Sequence, residues 1–412
     1  MNQTEVGQSI FVARQPIFDA GQNTYAYELL FRAGLESYCG AIDGDSATLD
    51  VIANTFLDIG LEELTAGKPC FINFTRELLL RRTPQLLPPD VVTVEILEDV
   101  VADEEVFAIC LELKEAGYTL ALDDFVIADW DHPLLELAGI VKVDFPGTTP
   151  EERALIAKRL ADRGIWGLAE KVETREEFEQ ARLAGYTYFQ GYFFGKPVTH
   201  EGKVLEGSSM AYLRLLQEVN SPNLSYDELE AILKQDVSLM YHLLRFINSV
   251  WFGLRHRITS VRHALVWLGP KEIRKWFALI SLRRMADDKP GELMILALTR
   301  ARMAEHLAEH AGLKGHASDL FLMGMFSVLD AMLDRPIDEI LSQLPINPQI
   351  KQALFGEPCP FQTVYDVILA FERADWGDFG AHAAALNVQE ETVQSAFTRS
   401  VKWATEALAI AS

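Results

Sequence analysis

Acidic, amide and lysine side chains stand at the ends of short apolar runs throughout the first half of the chain. The runs are Tyr25–Glu28, Phe71–Asn73, Val91–Glu95, Leu120–Asp124, Ile140–Lys142, Trp166–Glu170 and Tyr188–Gln190. If each run is a buried parallel strand, its last residues emerge at one rim of a sheet, where successive strands share a site. Burying several carboxylates close together is costly unless cations neutralise them. The pattern therefore predicts an oxygen-rich metal site.

The candidate site consists of the polar residues at these strand ends. They are Glu28, Asn73, Glu95, Asp123, Asp124, Lys142, Glu170 and Gln190. Hard oxygen ligands in this number suit Mg²⁺ or Mn²⁺ rather than zinc. Two such ions ~3.5–4 Å apart form the usual clamp for in-line displacement at phosphorus. Lys142 would either orient the attacking water or offset negative charge. Any one of these residues alone is more typical of a solvated strand end or a helix cap than of a site, but eight of them at one register reverse that preference.

Two kinds of secondary structure divide the chain into two predicted domains. Before Pro197, apolar runs alternate with amphipathic helical stretches such as residues 104–116, 151–163 and 175–184. Such alternation predicts an α/β domain with a parallel sheet, either a closed barrel or an open sheet. Residues 200–208 read as a linker, and from Met210 onward the apolar residues recur at helical spacing. We therefore predict an α/β domain over residues 1–200 and an all-helical domain over residues 201–412.

Composition and charge exclude several classes of protein. The chain has 412 residues, 49% hydrophobic, and four scattered cysteines without metal or disulfide spacing. It has no apolar run of the ~18 residues that a membrane helix needs, and its first residues lack the features of a secretory signal. These observations predict a cytoplasmic protein with reduced thiols and no membrane segment. A net charge of −23, most of it in the first 200 residues, makes non-specific nucleic-acid binding unexpected.

Seven motifs in family order make residues 8–200 similar to the EAL-type cyclic-di-GMP phosphodiesterases, whose fold is a (β/α)8 TIM-like barrel. The motifs are ELLFR after Tyr27, FINFT, VEILED, DDF, VKVD, AEKVET and QGYFFGKP. The resemblance implies a cyclic-di-GMP ligand, Mg²⁺ or Mn²⁺, and hydrolysis of one phosphodiester to a linear dinucleotide. It assigns metal binding to Glu28, Asn73, Glu95, Asp123 and Asp124. It assigns catalysis to Lys142, Glu170, Glu173 and Gln190, a ligand contact to Arg32, and bracing of a nearby loop to Glu98.

Two departures from the family pattern bear on activity. Active members follow D-D-F with a glycine-rich loop, but residues 126–130 here read VIADW. Substitution of glycine by β-branched residues removes both positive φ and close backbone approach. The family's E-G-V-E has also become Glu170-Lys171-Val172-Glu173, so that Lys171 either points away or brings a cation near the metals. Three functions therefore stay open: a hydrolase, a receptor without turnover, and a pure scaffold.

The helical half resembles the HDOD domain, a relative of HD-type phosphohydrolases. The matching features lie in residues 242–269: Ile247-Asn248-Ser249, Phe252, Ile258 with Ser260, Ala264, and Leu268-Gly269. Ser327-Val328 stand where HD enzymes carry their metal-binding His-Asp pair. This substitution argues against hydrolysis and for protein partners bound through the HDOD domain. An EAL-like barrel followed by HDOD resembles the YuxH-type bacterial signalling proteins. A homodimer is a candidate assembly, and the sequence leaves open whether the barrel forms one.

Two further patterns in the helical half have competing interpretations. The basic set Arg255, His256, Arg257, Arg262, Lys271, Arg274, Lys275, Arg283 and Arg284 is typical of a solvated surface or of a site for RNA or an acidic partner, including the barrel itself. His306 and His310 have the H-x-x-E-H spacing of a zinc-protease class. The sequence offers no third zinc ligand, so an exposed helix face is the favoured interpretation.

Overall fold

The computed structural model describes residues 10–33, 61–125, 130–195, 237–248, 257–285, 289–342 and 344–411, with single positions between 219 and 233. The chain forms two compact units. The first comprises Met1–Phe194 with Ala370–Gly377, and the second Gly195–Leu369 with Asp378–Ser412. The predicted boundary at residue 200 lies outside the described residues and stays a prediction.

The first unit is a closed barrel of eight strands joined in sequence order. The strands are β1 (Ile10–Asp19), β2 (Thr24–Ala33), β3 (Cys70–Phe74), β4 (Val92–Ile96), β5 (Thr119–Leu122), β6 (Ile140–Asp144), β7 (Trp166–Glu170) and β8 (Tyr188–Gln190). All neighbours from β2 to β8 pair in parallel, as predicted, and β1 runs antiparallel to both β2 and β8. The sequence left open whether the sheet closes, and the structure shows the barrel.

The described helices of the barrel unit are α1 (Leu61–Thr65), α2 (Arg76–Leu80), α3 (Glu104–Glu115), α4 (Pro150–Asp162) and α5 (Arg175–Ala184). The three longer ones confirm the helices predicted from the apolar spacing. Side chains fix where α4 and α5 begin, because Thr149 and Thr174 each form a capping box with the glutamate three residues later. The helix α5 ends at Gly185, whose φ of 103° places it in the left-handed region.

An apolar cluster fills the interior of the barrel below the polar site. The cluster is formed by Ile17, Ala26, Phe71, Ala121, Ile140, Leu168 and Tyr188. Six of these residues, all but Ile17, stand two positions before Glu28, Asn73, Asp123, Lys142, Glu170 and Gln190 respectively. Side chains two positions apart on a strand point to the same face of the sheet. Each polar residue therefore points into the barrel on the same side as the apolar residue two positions before it. The site is therefore the next layer above the apolar cluster, at the carboxyl ends of the parallel strands.

One glycine fixes the contact between the last two strands of the barrel. Gly191 follows Gln190 and has a φ of 143°. A Cβ there would overlap the backbone of Val172, whose N–H donates to the Gln190 carbonyl. The close approach keeps Gln190 beside Glu170 at the same rim.

The described helices of the second unit account for nearly all of its described residues, as predicted. They are α6 (Val237–Ile247), α7 (Val261–Met285), α8 (Gly291–His310), α9 (Ala317–Phe326), α10 (Leu329–Leu333), α11 (Ile337–Ser342), α12 (Pro348–Leu354), α13 (Pro360–Glu372), α14 (Trp376–Ala385) and α15 (Glu390–Ala411). The helix α7 is interrupted at Gly269, whose φ is 72°, and Pro270 opens its second segment. The two helices α8 and α9 cross closely at Gly324, where a Cβ would overlap the backbone at Arg300 and Ala301. Among the described residues, no helix combines the length and apolarity that crossing a membrane requires.

Candidate active site

Lys142 on β6 is the centre of the candidate site. Its Nζ lies 2.8 Å from Glu170 Oε1, 3.3 Å from Glu28 Oε2 and 3.3 Å from Asp123 Oδ1, and it also contacts the Glu95 carboxylate. The lysine side chain is 1% exposed. Carboxylates from β2, β4, β7 and the residue after β5 thus converge on one buried ammonium group. The structure brings together residues that are as far apart as 142 positions in the sequence.

Two amide side chains orient Glu28 within this cluster. Asn73 Nδ2 donates to Glu28 Oε1 at 2.9 Å, and Gln190 Nε2 donates to Glu28 Oε2 at 2.7 Å. Burial alone would raise the pKa of Glu28, but the Lys142 charge and these hydrogen bonds lower it below its usual value. Gln190 Nε2 also lies 3.1 Å from Gln15 Oε1 on β1. Gln15 belongs to the site and was not predicted from the sequence, because it lies in a mixed segment with Arg14 and Pro16 that gives no clear strand pattern.

The site holds more negative than positive charge. Burial, followed by the Glu28 charge, raises the pKa of Glu95 well above its usual value. Burial also raises the pKa of Glu170 to about 8, because the Lys142 charge only partly compensates. A carboxyl group with so high a pKa retains a proton at neutral pH unless another cation is present. The cluster is therefore arranged to attract cations beyond its own lysine.

The oxygen atoms of the site fit a divalent cation. Oxygens of Asp123, Asp124 and Glu170 lie within 4.8 Å of one another. Buried oxygens of Asn73, Glu95 and Asp124 accept no hydrogen bond within the described part of the chain. An oxygen donor that is buried without a partner is costly, and a hard cation would satisfy it. Asp123, Asp124 and Glu170 would hold one ion, and Glu28, Asn73 and Glu95 would supply the further ligands.

Lys171 brings a second ammonium group next to these carboxylates. Its Nζ lies 3.0 Å from Asp144 Oδ2 and 3.8 Å from Asp124 Oδ1. The sequence left open whether Lys171 points away from the site or toward the metals. In the structure its side chain lies near the candidate metal ligands. The lysine has a φ of 52°, in the region that favours the glycine of the family motif. Asp144, whose Oδ1 is also buried without a hydrogen-bond partner in the described residues, was not predicted from the sequence.

Three predicted site residues lie apart from the Lys142 cluster or are not fully described. Arg32 lies on β2, but its side chain is outside the described residues. Glu98 follows β4 and is exposed, and Glu173 is exposed at the start of α5, where its N–H donates to Glu177 Oε2 at 2.8 Å. Residues 126–129 of the altered loop are outside the described residues as well. The roles assigned to these residues, and to the loop, stay predictions.

In the helical unit, a buried arginine contacts Ser327, one of the two residues predicted from the sequence to stand at the His-Asp position of HD enzymes. Arg300 on α8 is 4% exposed, and its Nη1 donates to Ser327 Oγ at 3.1 Å. Its charge also partly offsets the burial that raises the pKa of Asp330. A buried guanidinium group opposes a metal cation at the same place. The contact therefore places a cation, rather than acidic or histidine ligands, beside Ser327.

The zinc interpretation of the H-x-x-E-H spacing receives no support. Within the described ranges, the only group of three or more close metal-ligand side chains is Asp123, Asp124 and Glu170. Burial, with the charges of Arg302 and Arg399, lowers the pKa of His306 to about 4. The two histidines therefore stand without the third ligand that a zinc site needs.

Comparison with known proteins extends over both units. The HDOD domain family matches residues 208–332. The chain is 38% identical over 396 residues to the cyclic di-GMP phosphodiesterase CdgJ of Vibrio cholerae, covering 95% of this chain and 92% of CdgJ. It is 39% identical over 375 residues to YuxH of Bacillus subtilis, covering 89% of this chain and 91% of YuxH.

Similar solved structures include proteins with EAL domains. A manganese and cyclic-di-GMP complex of Klebsiella pneumoniae BlrP1 has 25% identity and a TM-score of 0.38, covering 47% of this chain and 57% of BlrP1. The Bacillus subtilis YkuI protein, with an EAL domain, has 17% identity and a TM-score of 0.38, covering 55% of this chain and 71% of YkuI.

The relationship to CdgJ and YuxH spans nearly the full length of both relatives. The chain belongs to the family of CdgJ and YuxH, and it has an EAL-type barrel followed by an HDOD domain.

Proposed function

We propose that the barrel binds cyclic-di-GMP and hydrolyses one of its phosphodiesters with the help of two divalent cations, Mg²⁺ or Mn²⁺. The observation that carries this proposal is the convergence of Glu28, Glu95, Asp123 and Glu170 on Lys142. The similarity to the cyclic di-GMP phosphodiesterase CdgJ, which covers 92% of that protein, supports the same activity for this chain. The retained oxygen ligands favour hydrolysis over ligand binding without turnover.

Divalent cations bound there would neutralise the substrate phosphate and activate a water for in-line attack. The water oxygen forms a bond to phosphorus, the bond from phosphorus to the bridging ester oxygen breaks, and that oxygen receives a proton, giving the linear dinucleotide. Lys142 holds the carboxylates in one arrangement by contacting all of them. Gln190 fixes Glu28 through its Nε2, while its buried Oε1 has no partner in the described residues and is an acceptor for the attacking water. The catalytic part that the family resemblance assigns to Glu173 stays a proposal.

The activity is tested by incubating the full chain with cyclic-di-GMP and Mn²⁺, then separating the linear product by chromatography. We expect turnover that EDTA abolishes and that Glu28→Ala reduces by about 100-fold or more, as loss of a group acting on the transition state does. Glu105→Ala, at an exposed position on α3, is the matched control and should leave the rate unchanged. Absence of product from the unaltered chain, or equal rates for it and Glu28→Ala, would refute hydrolysis.

The second candidate is a receptor or scaffold without turnover, and Lys171 is the observation that favours it. The ammonium group beside Asp124 competes with a cation for the same carboxylate. Because Lys171 is about half exposed, its effect should equal that of a surface ion pair, so Lys171→Gly should tighten the weaker Mn²⁺ binding step by about two- to fivefold. Calorimetric titration measures this, with Lys158→Gly, an exposed lysine on α4, as the control. Unchanged affinity in Lys171→Gly would show that the lysine does not weaken metal binding.

We further propose that the protein acts in the cytoplasm, that the HDOD domain binds protein partners, and that the barrel forms a homodimer. The scattered cysteines, buried at Cys70 and Cys110, support a reducing compartment. The resemblance to HD enzymes, with Ser327-Val328 in place of His-Asp, supports an interaction role for the helical unit, and Arg300 places a positive charge beside Ser327.

A further inference from the structure

The basic residues of the helical unit separate into two groups in the structure. Arg262 forms ion pairs with Asp227 and Glu230, so its charge is already neutralised. Lys275 is likewise paired with Glu272 and Glu305. Neither residue has the unneutralised charge that an extended RNA surface needs. Lys271 and Arg274 line the same cavity as Lys275.

Lys271 and Arg274 line a cavity of about 550 Å³ in the helical unit. This volume lies within the range of small-molecule sites, which is roughly 300–1,000 Å³. The lining also includes the polar residues Ser318, Asp319 and Asn347 and the apolar residues Leu322, Pro345 and Ile346. The cavity thus combines cationic, hydrogen-bonding and apolar surfaces.

The charge balance in the cavity favours an anion. The ammonium group of Lys275 is neutralised by its two glutamates, and Lys271 is exposed with no ion-pair partner among the described residues. Arg274 is held in place by its Nε, which donates to the Val219 carbonyl at 3.3 Å. The one acidic group, Asp319, is occupied by the Asn347 amide at 2.8 Å and has His316 Nδ1 3.3 Å away.

The dipole of the helix that carries Lys271 and Arg274 also favours an anion in the cavity. Pro270 opens the second segment of α7, which places Lys271 and Arg274 in its first two turns. The N-terminal end of a helix carries a partial positive charge. The dipole and the two side chains therefore act in the same direction, and the cavity provides the space for what they attract.

We propose that this cavity binds a nucleoside phosphate, with its phosphate at Lys271 and Arg274 and its base against Leu322, Pro345 and Ile346. The hydroxyl of Ser318, in the same lining, would hydrogen-bond the sugar or the base. Binding of such a ligand would make the HDOD domain responsive to a small molecule that differs from the ligand of the barrel. The proposal does not depend on hydrolysis in the barrel.

The test is calorimetric titration of the full chain with ADP at low salt in EDTA, which removes the metals that the barrel site requires. Lys271→Glu should weaken ADP binding by at least about tenfold, because it replaces an attraction to phosphate with a repulsion. Arg257→Glu makes the same charge change at an exposed position of the same unit that does not line the cavity. This control should bind ADP as the unaltered chain does.

Two related probes test the placement of the ligand. Ribose 5-phosphate and inorganic phosphate lack the base, so each should bind more weakly than ADP if the apolar residues of the lining contact the base. No binding of ADP up to about 1 mM, which corresponds to a binding free energy too small to be specific, would overturn the proposal. Equal loss in Lys271→Glu and Arg257→Glu, or equal affinity for ADP and inorganic phosphate, would overturn it as well.

Discussion

Lys142→Met is expected to destabilise the metal-free barrel by about 3–5 kcal/mol at pH 8 and to abolish turnover, because it leaves buried carboxylates without their cation. Lys142 is the only cation that contacts Glu28, Glu95, Asp123 and Glu170 in the described structure. Methionine has a similar volume, so the loss is chiefly one of charge. Scanning calorimetry of both proteins in EDTA measures the change.

The same variant distinguishes a charge effect from a packing effect. At pH 6 the loss should be smaller, because Glu170, whose pKa is raised to about 8, is then protonated. Excess Mn²⁺ should restore part of the lost stability without restoring turnover. Lys158→Met on the surface of α4 is the control and should change stability by less than about 0.5 kcal/mol. Equal destabilisation by Lys142→Met at both pH values, with no response to Mn²⁺, would contradict the electrostatic account.

The second large expected effect is a decrease in the stability of the metal-free protein as pH rises. Burial, only partly offset by Lys142, raises the pKa of Glu170 from 4.5 to about 8. The folded protein therefore binds a proton between these pH values that the unfolded chain has released. Stability of the metal-free protein must fall as pH rises through this window, since the unfolded state binds fewer protons there. We expect a loss on the order of a few kcal/mol between pH 5 and pH 8.5.

Bound divalent metal should oppose this loss of stability at high pH. A metal binds the deprotonated carboxylate, so Mn²⁺ affinity and the stabilisation by Mn²⁺ should both increase from pH 6 to pH 8.5. Scanning calorimetry with EDTA or Mn²⁺ at the two pH values gives the four midpoints needed. Glu170→Gln serves as the matched variant, because it keeps the shape of the side chain and should flatten the pH slope in EDTA. A slope of the same size in Glu170→Gln would assign it to other groups.

Much of the barrel could be predicted because local sequence and tertiary position agree there. Strands β2 to β8 each contain a short apolar run, and the polar residue that follows emerges at the rim whatever the details of packing. Strand β1 was missed because Arg14, Gln15 and Pro16 interrupt its apolar pattern. Its antiparallel direction and the closure of the sheet depend on pairings with β2 and β8 that no local pattern contains.

The candidate site could be predicted in its residue types but not in its contacts. Strand alternation places Glu28, Lys142 and Glu170 on one face, so their convergence follows from the fold. The position of Lys171 could not be predicted, because a residue just past a strand end points inward or outward according to its backbone angles. Its φ of 52° turns the side chain toward Asp144 and Asp124. Gln15 became a site residue through its register opposite Glu28 on β2, and closure of the barrel by β8 brings Gln190 within hydrogen-bond distance of it.

The most direct measurement is anomalous diffraction from crystals of the full chain soaked with Mn²⁺ at pH 8. The account predicts two manganese peaks about 4 Å apart, one at Asp123, Asp124 and Glu170 and the other on the side of Glu28, Asn73 and Glu95. No peak among these side chains, or manganese bound only elsewhere on the chain, would contradict it.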